Sequence, residues 1–398
     1  MARKFQKQGP GTDPWLVLSV CFLLGVGIIM VYSAGSAVAE KLHGNNSFFF
    51  LRQVMFAAAG ALFFVFMRQI NYRWLAALSF PLLLLAYVSL LLVFSPLGVK
   101  VSGATRWINL GMVNFQPSEF ARFALIGYLA FFMSRNPDVM DRWWPGVIWP
   151  LTLTGLMVAI LMCQPDFGSA VLLCATVGLM LFVGGARISH LVALAVPAIP
   201  MVAAAVILEP YRMRRLLIFL NPDMDPLGAG YHIKHSLMAF GSGGVAGVGI
   251  GDGIQKLHYL PEPHTDFIFA VLGEETGLLG VCIVVALFGI VIWRGLRLAR
   301  HVDDPFASFL AFGMVASIAL SAVVNMGVTM GMLPTKGLTL PFVSYGGSSL
   351  VFNLVYIGVL CSIARVHGVP PPASERKQAR KAAQEAQAQS ALEGEALA

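Results

Sequence analysis

Ten apolar runs constrain this chain more than any other feature. They fall at approximately 15–35, 48–67, 75–94, 117–134, 146–163, 168–185, 188–208, 266–293, 307–332 and 346–366. Each is close to the ~20 residues that a helix needs to cross a bilayer, and in lipid every backbone N–H and C=O must find its partner inside the protein. The spacing therefore predicts an all-α polytopic membrane protein of about ten transmembrane helices. Runs five to seven follow one another so tightly that successive pairs must form helical hairpins. Only 12% of residues are charged, against about 25% in soluble domains, which leaves little chain for a soluble domain.

Orientation follows from Lys and Arg. With the N-terminus inside, sixteen basic residues fall in cytoplasmic segments, from Arg3, Lys4 and Lys7 to Arg376, Lys377, Arg380 and Lys381. The short outer loops hold five: Lys41, Arg52, Lys100, Arg106 and Lys336. The bias predicts N-in and C-in, absorbs most of the net charge of +7, and leaves no case for a nucleic-acid partner. The first run reads as a retained helix rather than a signal peptide, since no convincing cleavage site follows it. The expected organisation is a cytoplasmic segment 1–14, a transmembrane domain 15–367 and a disordered cytoplasmic tail 368–398 rich in Ala, Gln and Glu. The five cysteines sit in or beside apolar runs without metal-type spacing and read as small core residues.

One outer connection, about 209–265 between the seventh and eighth helices, is far longer than the rest and is the expected functional element. Tyr211-Arg-Met-Arg-Arg215 with the following Leu-Leu-Ile-Phe-Leu220 predicts an amphipathic piece at the membrane surface. The glycine chain Gly241–Gly253 lacks the strand a dinucleotide fingerprint would need, and reads either as a flexible or close-packed loop or as a backbone cradle for an anion. Next comes Gln255-Lys-Leu-His-Tyr-Leu-Pro-Glu-Pro-His-Thr-Asp-Phe-Ile-Phe269, dense in ionisable groups.

Glu119, Asp166 and Asp266 each stand at an outward-facing helix start, two of them close behind a proline, where the helix dipole favours an acid. A single such acid is an ordinary cap, whereas three at one depth suggest the rim of a cleft. Glu119 and Arg122 share a helix face and can pair. Arg106 beside Trp107 suits an anionic group, and Lys256 and Lys336 are further candidates for phosphate contact. His258, His264 and Asp266 do not have zinc spacing, but a Mg²⁺ bridging a carboxylate and a substrate phosphate asks less of the protein.

Several motifs carry a resemblance. Arg106-Trp-Ile-Asn-Leu-Gly, Gln116-Pro-Ser-Glu-Phe, Gln164-Pro-Asp-Phe-Gly, Tyr259-Leu-Pro-Glu-Pro-His-Thr-Asp-Phe-Ile-Phe and Pro341-Phe-Val-Ser-Tyr-Gly-Gly-Ser-Ser349 resemble, in order, those of the SEDS proteins (shape, elongation, division and sporulation). Val31-Tyr-Ser-Ala34 and Pro334-Thr-Lys-Gly-Leu-Thr-Leu-Pro341 are similar to the division branch rather than the elongation branch. His235 stands where the family pattern has glutamine. The resemblance implies a peptidoglycan glycosyltransferase that polymerises lipid II at the outer face of the bacterial cytoplasmic (inner) membrane, at the division septum. It implies Asp266 as the catalytic carboxylate and places the family's charged pair at Glu119 and Arg122; with that pair, Arg106, Trp107, Asp166, Lys256, Lys336 and Ser344 are the substrate-binding candidates. It further implies lipid II and the nascent glycan strand as substrates, and a class B penicillin-binding protein and other divisome membrane proteins as partners. A divalent cation (Mg or Mn) at Asp266 is compatible with this chemistry, and no organic cofactor is expected. A lipid II flippase, a division scaffold and an elongation-type polymerase remain as alternatives. The helix start favours an ionised Asp266, while a dry cavity would favour its protonated form.

Overall fold

The computed structural model describes residues 13–368 apart from 102–103, 112, 209, 222–223, 226–228, 258–259, 261 and 335–336. The expected N-terminal segment and C-terminal tail lie almost wholly outside these residues. All ten apolar runs are helical. The first two form α1 (Pro14–His43) and α2 (Phe48–Gln69), and the third is divided into α3 (Arg73–Ala77) and α4 (Ser79–Leu92). Then come α5 (Pro117–Arg135), α6 (Trp149–Cys163), α7 (Phe167–Val183) and α8 (Ile188–Ile207). After α9 (Pro210–Leu220) and α10 (Ala229–Gly243), the last three runs form α11 (Ile268–His301), α12 (Pro305–Thr329) and α13 (Gly347–His367). Among the described residues, six helices are long and apolar enough to cross a membrane by length and composition, which defines a multi-pass membrane protein.

Polar side chains tie the two ends of the bundle. Asp13 caps α1 by accepting from the Leu16 amide at 3.4 Å and also pairs with Arg294 of α11 at 2.6 Å. Asp304 caps α12 through the Phe306 amide and accepts from the Tyr72 hydroxyl at 2.6 Å, while that hydroxyl lies 2.8 Å from His367 Nε2. These contacts gather the starts of α1 and α12 with the ends of α11 and α13. At the opposite end Ser348 of α13 accepts from the Gln116 amide ahead of α5.

The connection between α4 and α5 departs from the all-α expectation. It folds as an antiparallel meander of β1 (Gly98–Val101), β2 (Ala104–Asn109) and β3 (Asn114–Phe115), with Trp107 opposite Val99 and Asn109 opposite Asn114. Val-Lys-Val and Thr-Arg-Trp-Ile carry the β-branched and aromatic residues that favour strands.

The 209–265 connection also differs from an outer loop. It contains α9 and α10, and α10 runs against α11 before the glycine chain meets a break in that helix. At the break Gly277 has φ 65° and ψ −165°. The amides of Leu278 and Leu279 donate to Gly244 and Val245 at 3.0 and 3.2 Å, and those of Val248 and Gly249 donate back to Glu274 and Glu275 at 3.0 and 3.1 Å. The glycine chain thus supplies backbone partners that α11 gives up. At 1.5 Å per residue this seam lies roughly 9–17 Å along α11, so the segment re-enters the bundle. It is a close-packed element, and just beyond it the Ile254 and Gln255 amides donate to the Glu274 carboxylate at 2.9 and 3.2 Å.

A Cβ on Gly277 would meet the Val245 carbonyl oxygen at 2.6 Å in a backbone conformation that L side chains rarely adopt. Gly277→Ala is therefore expected to destabilise the protein by at least ~1–3 kcal/mol, seen as a lower thermal midpoint in detergent. Gly289→Ala, whose Cβ would have nothing within 4 Å, should leave the midpoint within experimental error of the parent.

Candidate active site

Asp266 lies in the turn just ahead of α11, and three hydrogen bonds hold that turn, two from the Ser344–Tyr345 segment and one from α12. Ser344 donates to the Thr265 carbonyl at 2.7 Å, the Tyr345 amide donates to the His264 carbonyl at 2.9 Å, and Asn325 of α12 donates to the Asp266 carbonyl at 3.0 Å. Ser344 also accepts from the Leu340 amide at 2.8 Å and is buried, so it braces the turn rather than facing a ligand. His264 stacks on Phe49 with ring centroids 4.1 Å apart, and burial lowers its pKa to about 4. It is neutral at physiological pH and packs between the Phe49 and Tyr345 rings. Backbone strain collects here too, with Glu262 and Phe342 at φ 47° and 66°, a pattern typical of ligand and catalytic sites.

The competition over Asp266 is resolved by packing. Its residue is half-buried, and loss of solvation raises the carboxyl pKa to about 7, with Glu262 adding to the rise and Arg215 and Arg106 opposing it. The dipole contributes little through capping because the α11 N-cap is Phe267, one residue on, and makes no side-chain cap bond. Asp266 is thereby poised near neutrality, where a carboxylate is a competent base.

The three helix-start acids serve different ends. Asp166 is the N-cap of α7, accepting from the Ser169 amide at 3.3 Å through Oδ1, while its buried Oδ2 has no partner. Glu119 and Arg122 pair at 3.4 Å, both buried within the bundle, and act electrostatically on Tyr356 of α13. This pair belongs to the bundle interior and is not among the charges that act on Asp266.

Arg106 on β2 donates from Nε to the Gln164 carbonyl at 3.4 Å and from Nη2 to the Pro165 carbonyl. It joins the sheet to the α6–α7 turn while acting on Asp266. Trp107 is its neighbour on the same strand, where the pairing with β1 shifts register between Val99 and Lys100 and leaves Arg106 as the extra residue of a bulge, which re-aims a side chain. Lys256 is likewise placed away from a phosphate role: it is 5% exposed and bound to Glu275 and Ser33 at 2.6 and 2.7 Å. Lys336 and His258 lie outside the described residues. His235, the departure from the family pattern, sits 2.7 Å from Gln255 Oε1 and against the Tyr231 ring.

Four residues that sequence reasoning did not single out for the site prove important. Glu274 and Glu275 are adjacent acids inside an apolar run, an intramembrane charge signal that was available in principle. Arg215 was read only as part of a surface helix, and Asn325 carried no signal beyond being one polar residue in an apolar span. Among the described residues no group of three or more His, Cys, Asp or Glu could hold a metal ion. A divalent cation at Asp266 would need its other ligands from substrate phosphates and water, as Mg²⁺ commonly does.

An apolar helical bundle of membrane-spanning length, with a near-neutral carboxylic acid just ahead of α11 and two arginines acting on it, defines a polytopic membrane protein with an ionisable cluster at one helix start. The chain belongs to the cell cycle protein family of FtsW, RodA and SpoVE, which it matches over residues 14–368. It is 42% identical over 353 residues to the "Probable peptidoglycan glycosyltransferase FtsW" of Trichlorobacter lovleyi, covering 88% of this chain and 93% of that one. It is 40% identical to "Stage V sporulation protein E" of Bacillus subtilis, covering 89% and 97% respectively. A solved chain from "Structural coordination of polymerization and crosslinking by a peptidoglycan synthase complex" superposes with a TM-score of 0.76 at 30% identity, covering 90% of this chain and 99% of that one. The Thermus thermophilus rod shape determining protein RodA gives 0.68 at 27% identity, with the same coverage.

Proposed function

We propose that this protein is a peptidoglycan glycosyltransferase that polymerises lipid II into glycan strands at the outer face of the cytoplasmic membrane and releases undecaprenyl pyrophosphate. The observation that carries the reading is Asp266, a half-buried acid raised to about 7 under the influence of Arg106 and Arg215. In the reaction a sugar hydroxyl of one lipid II attacks the anomeric carbon of the other substrate. Asp266 takes the hydroxyl proton, the new glycosidic C–O bond forms, and the bond to the pyrophosphate breaks with its electron pair going to phosphate oxygen. Arg106 and Arg215 supply positive charge for the departing pyrophosphate. A divalent cation, held by Asp266 and substrate phosphates, would add Lewis-acid support to the same group.

The similarity to a chain of a peptidoglycan synthase complex supports a class B penicillin-binding protein as partner. The likeness to the named FtsW relatives supports action at the septum with other divisome proteins. The test is purified protein and its penicillin-binding partner with lipid II, with polymer read on a gel. The rate should rise with pH through about 7 as Asp266 ionises, falling roughly tenfold between the plateau and one pH unit below the pKa. Translocation of lipid II across vesicles with no polymer would favour a flippase instead.

A further inference from the structure

Asn325 lies one turn before the end of α12, 2% exposed in an apolar helix. Its Nδ2 donates to two carbonyls from different parts of the chain, Asp266 at 3.0 Å and Leu338 at 2.6 Å. Both partners only accept, so the amide orientation is fixed by its bonds. The second bond fixes the wall against which the acid rests: a Cβ on Gly337 would stand 3.2 Å from Asp266 Oδ2. The same segment reaches the start of α7, since Leu338 Cδ2 lies 3.4 Å from where a Cβ on Gly168 would be. Gly168 is in the first turn of α7, beyond the Gln164 and Pro165 carbonyls that hold Arg106. One buried side chain therefore ties the turn that bears the acid to the segment that walls it.

We propose that Asn325 is a positioning residue for the glycosyl transfer, fixing the Asp266 carboxyl relative to the 337–338 segment. This rests on the glycosyltransferase reading above. An amide is used because one side chain must donate twice: a hydroxyl has a single proton, and a carboxylate would face two carbonyl oxygens with like polarity. Displacement of a catalytic group by about 1 Å can cost ~100-fold in rate, so a small relaxation of this bridge is enough to matter. The charged groups acting on Asp266 are Glu262 from its own turn, Arg215 on α9 and Arg106 on β2, and a shifted Asp266 would change its balance with all three.

The test uses the full chain with its penicillin-binding partner and lipid II. Asn325→Leu keeps the volume and removes both donors. It is expected to lower kcat for polymerisation about 10- to 100-fold, to leave KM for lipid II within about threefold, and to move the acidic limb of the pH–rate profile. Gly337→Ala, at an exposed position, disturbs the same wall from the other side. It should show the same kcat-specific loss at an unchanged thermal midpoint, and it decides the matter where Asn325→Leu does not fold. Full kcat in Gly337→Ala, or a loss in Asn325→Leu that tracks thermal stability with an unmoved pH limb, overturns the positioning role. Asp266→Asn in the same assay separates the two levels. An active Asp266→Asn removes Asp266 from the chemistry and with it the ground for positioning its carboxyl, absence of polymer from the parent protein overturns the glycosyltransferase reading, and an inactive Asp266→Asn beside a fully active Asn325→Leu overturns only the positioning role.

Discussion

Asp266→Asn is expected to eliminate glycan polymer from purified lipid II, with a rate loss of roughly 10²–10⁴-fold, the usual contribution of a positioned general base. Asparagine has nearly the same shape but cannot take the sugar proton. The turn itself should survive, because its ties to Asn325, Ser344 and Tyr345 run through the Asp266, Thr265 and His264 carbonyls. Membrane insertion, thermal midpoint and co-purification with the penicillin-binding partner should therefore match the parent. Removing a carboxyl that burial holds near neutrality relieves a desolvation cost, so any change in stability should be upward. Polymer of normal length at a normal rate would remove Asp266 from the chemistry.

The second large effect is on stability. Lys256→Met is expected to destabilise the protein by about 3–5 kcal/mol, because it leaves the Glu275 carboxylate buried without its cation. Glu275 keeps the Ser33 hydroxyl at 2.6 Å, while its Oε2 has no hydrogen-bond partner. Lys256→Met combined with Glu275→Leu removes both charges and should recover most of the loss, since replacing a buried pair by apolar groups is often neutral. Thermal midpoints in detergent for the parent, the two single variants and the pair give the comparison. Equal midpoints for Lys256→Met and the double variant would show that the charge on Glu275 is not what makes the single change costly.

The parts legible in the sequence are those that lipid enforces. Ten apolar runs had to be helical, since lipid offers no partner for an open backbone, and all are, the third as two pieces. The division of the third run at Leu78 carries no such signal, because its residues are apolar on both sides of the break. The sheet was readable in Val-Lys-Val and Thr-Arg-Trp-Ile, but the strength of the helical pattern on either side concealed it. At the site, motif and charge density led to Asp266, yet whether a helix start or a dry setting would govern its proton depended on packing contributed by α9, α12 and the 337–346 segment. Lys256 shows the limit most clearly. A lysine in a polar loop reads as exposed until the loop is seen to fold back against α1 and α11, and its partner Glu275 was hidden in a run that otherwise suited lipid.

The seam between the glycine chain and α11 also orders events during synthesis. Residues 244–249 leave the ribosome before 274–279, so the backbone groups they will satisfy do not yet exist, and their own amides must stay hydrated in the interim. Once α11 enters the membrane, its broken turn exposes peptide groups that lipid cannot solvate. Neither piece has a settled place without the other, so α10, the glycine chain and α11 would be expected to insert as one unit, with the turn bearing Asp266 set in place as that unit closes.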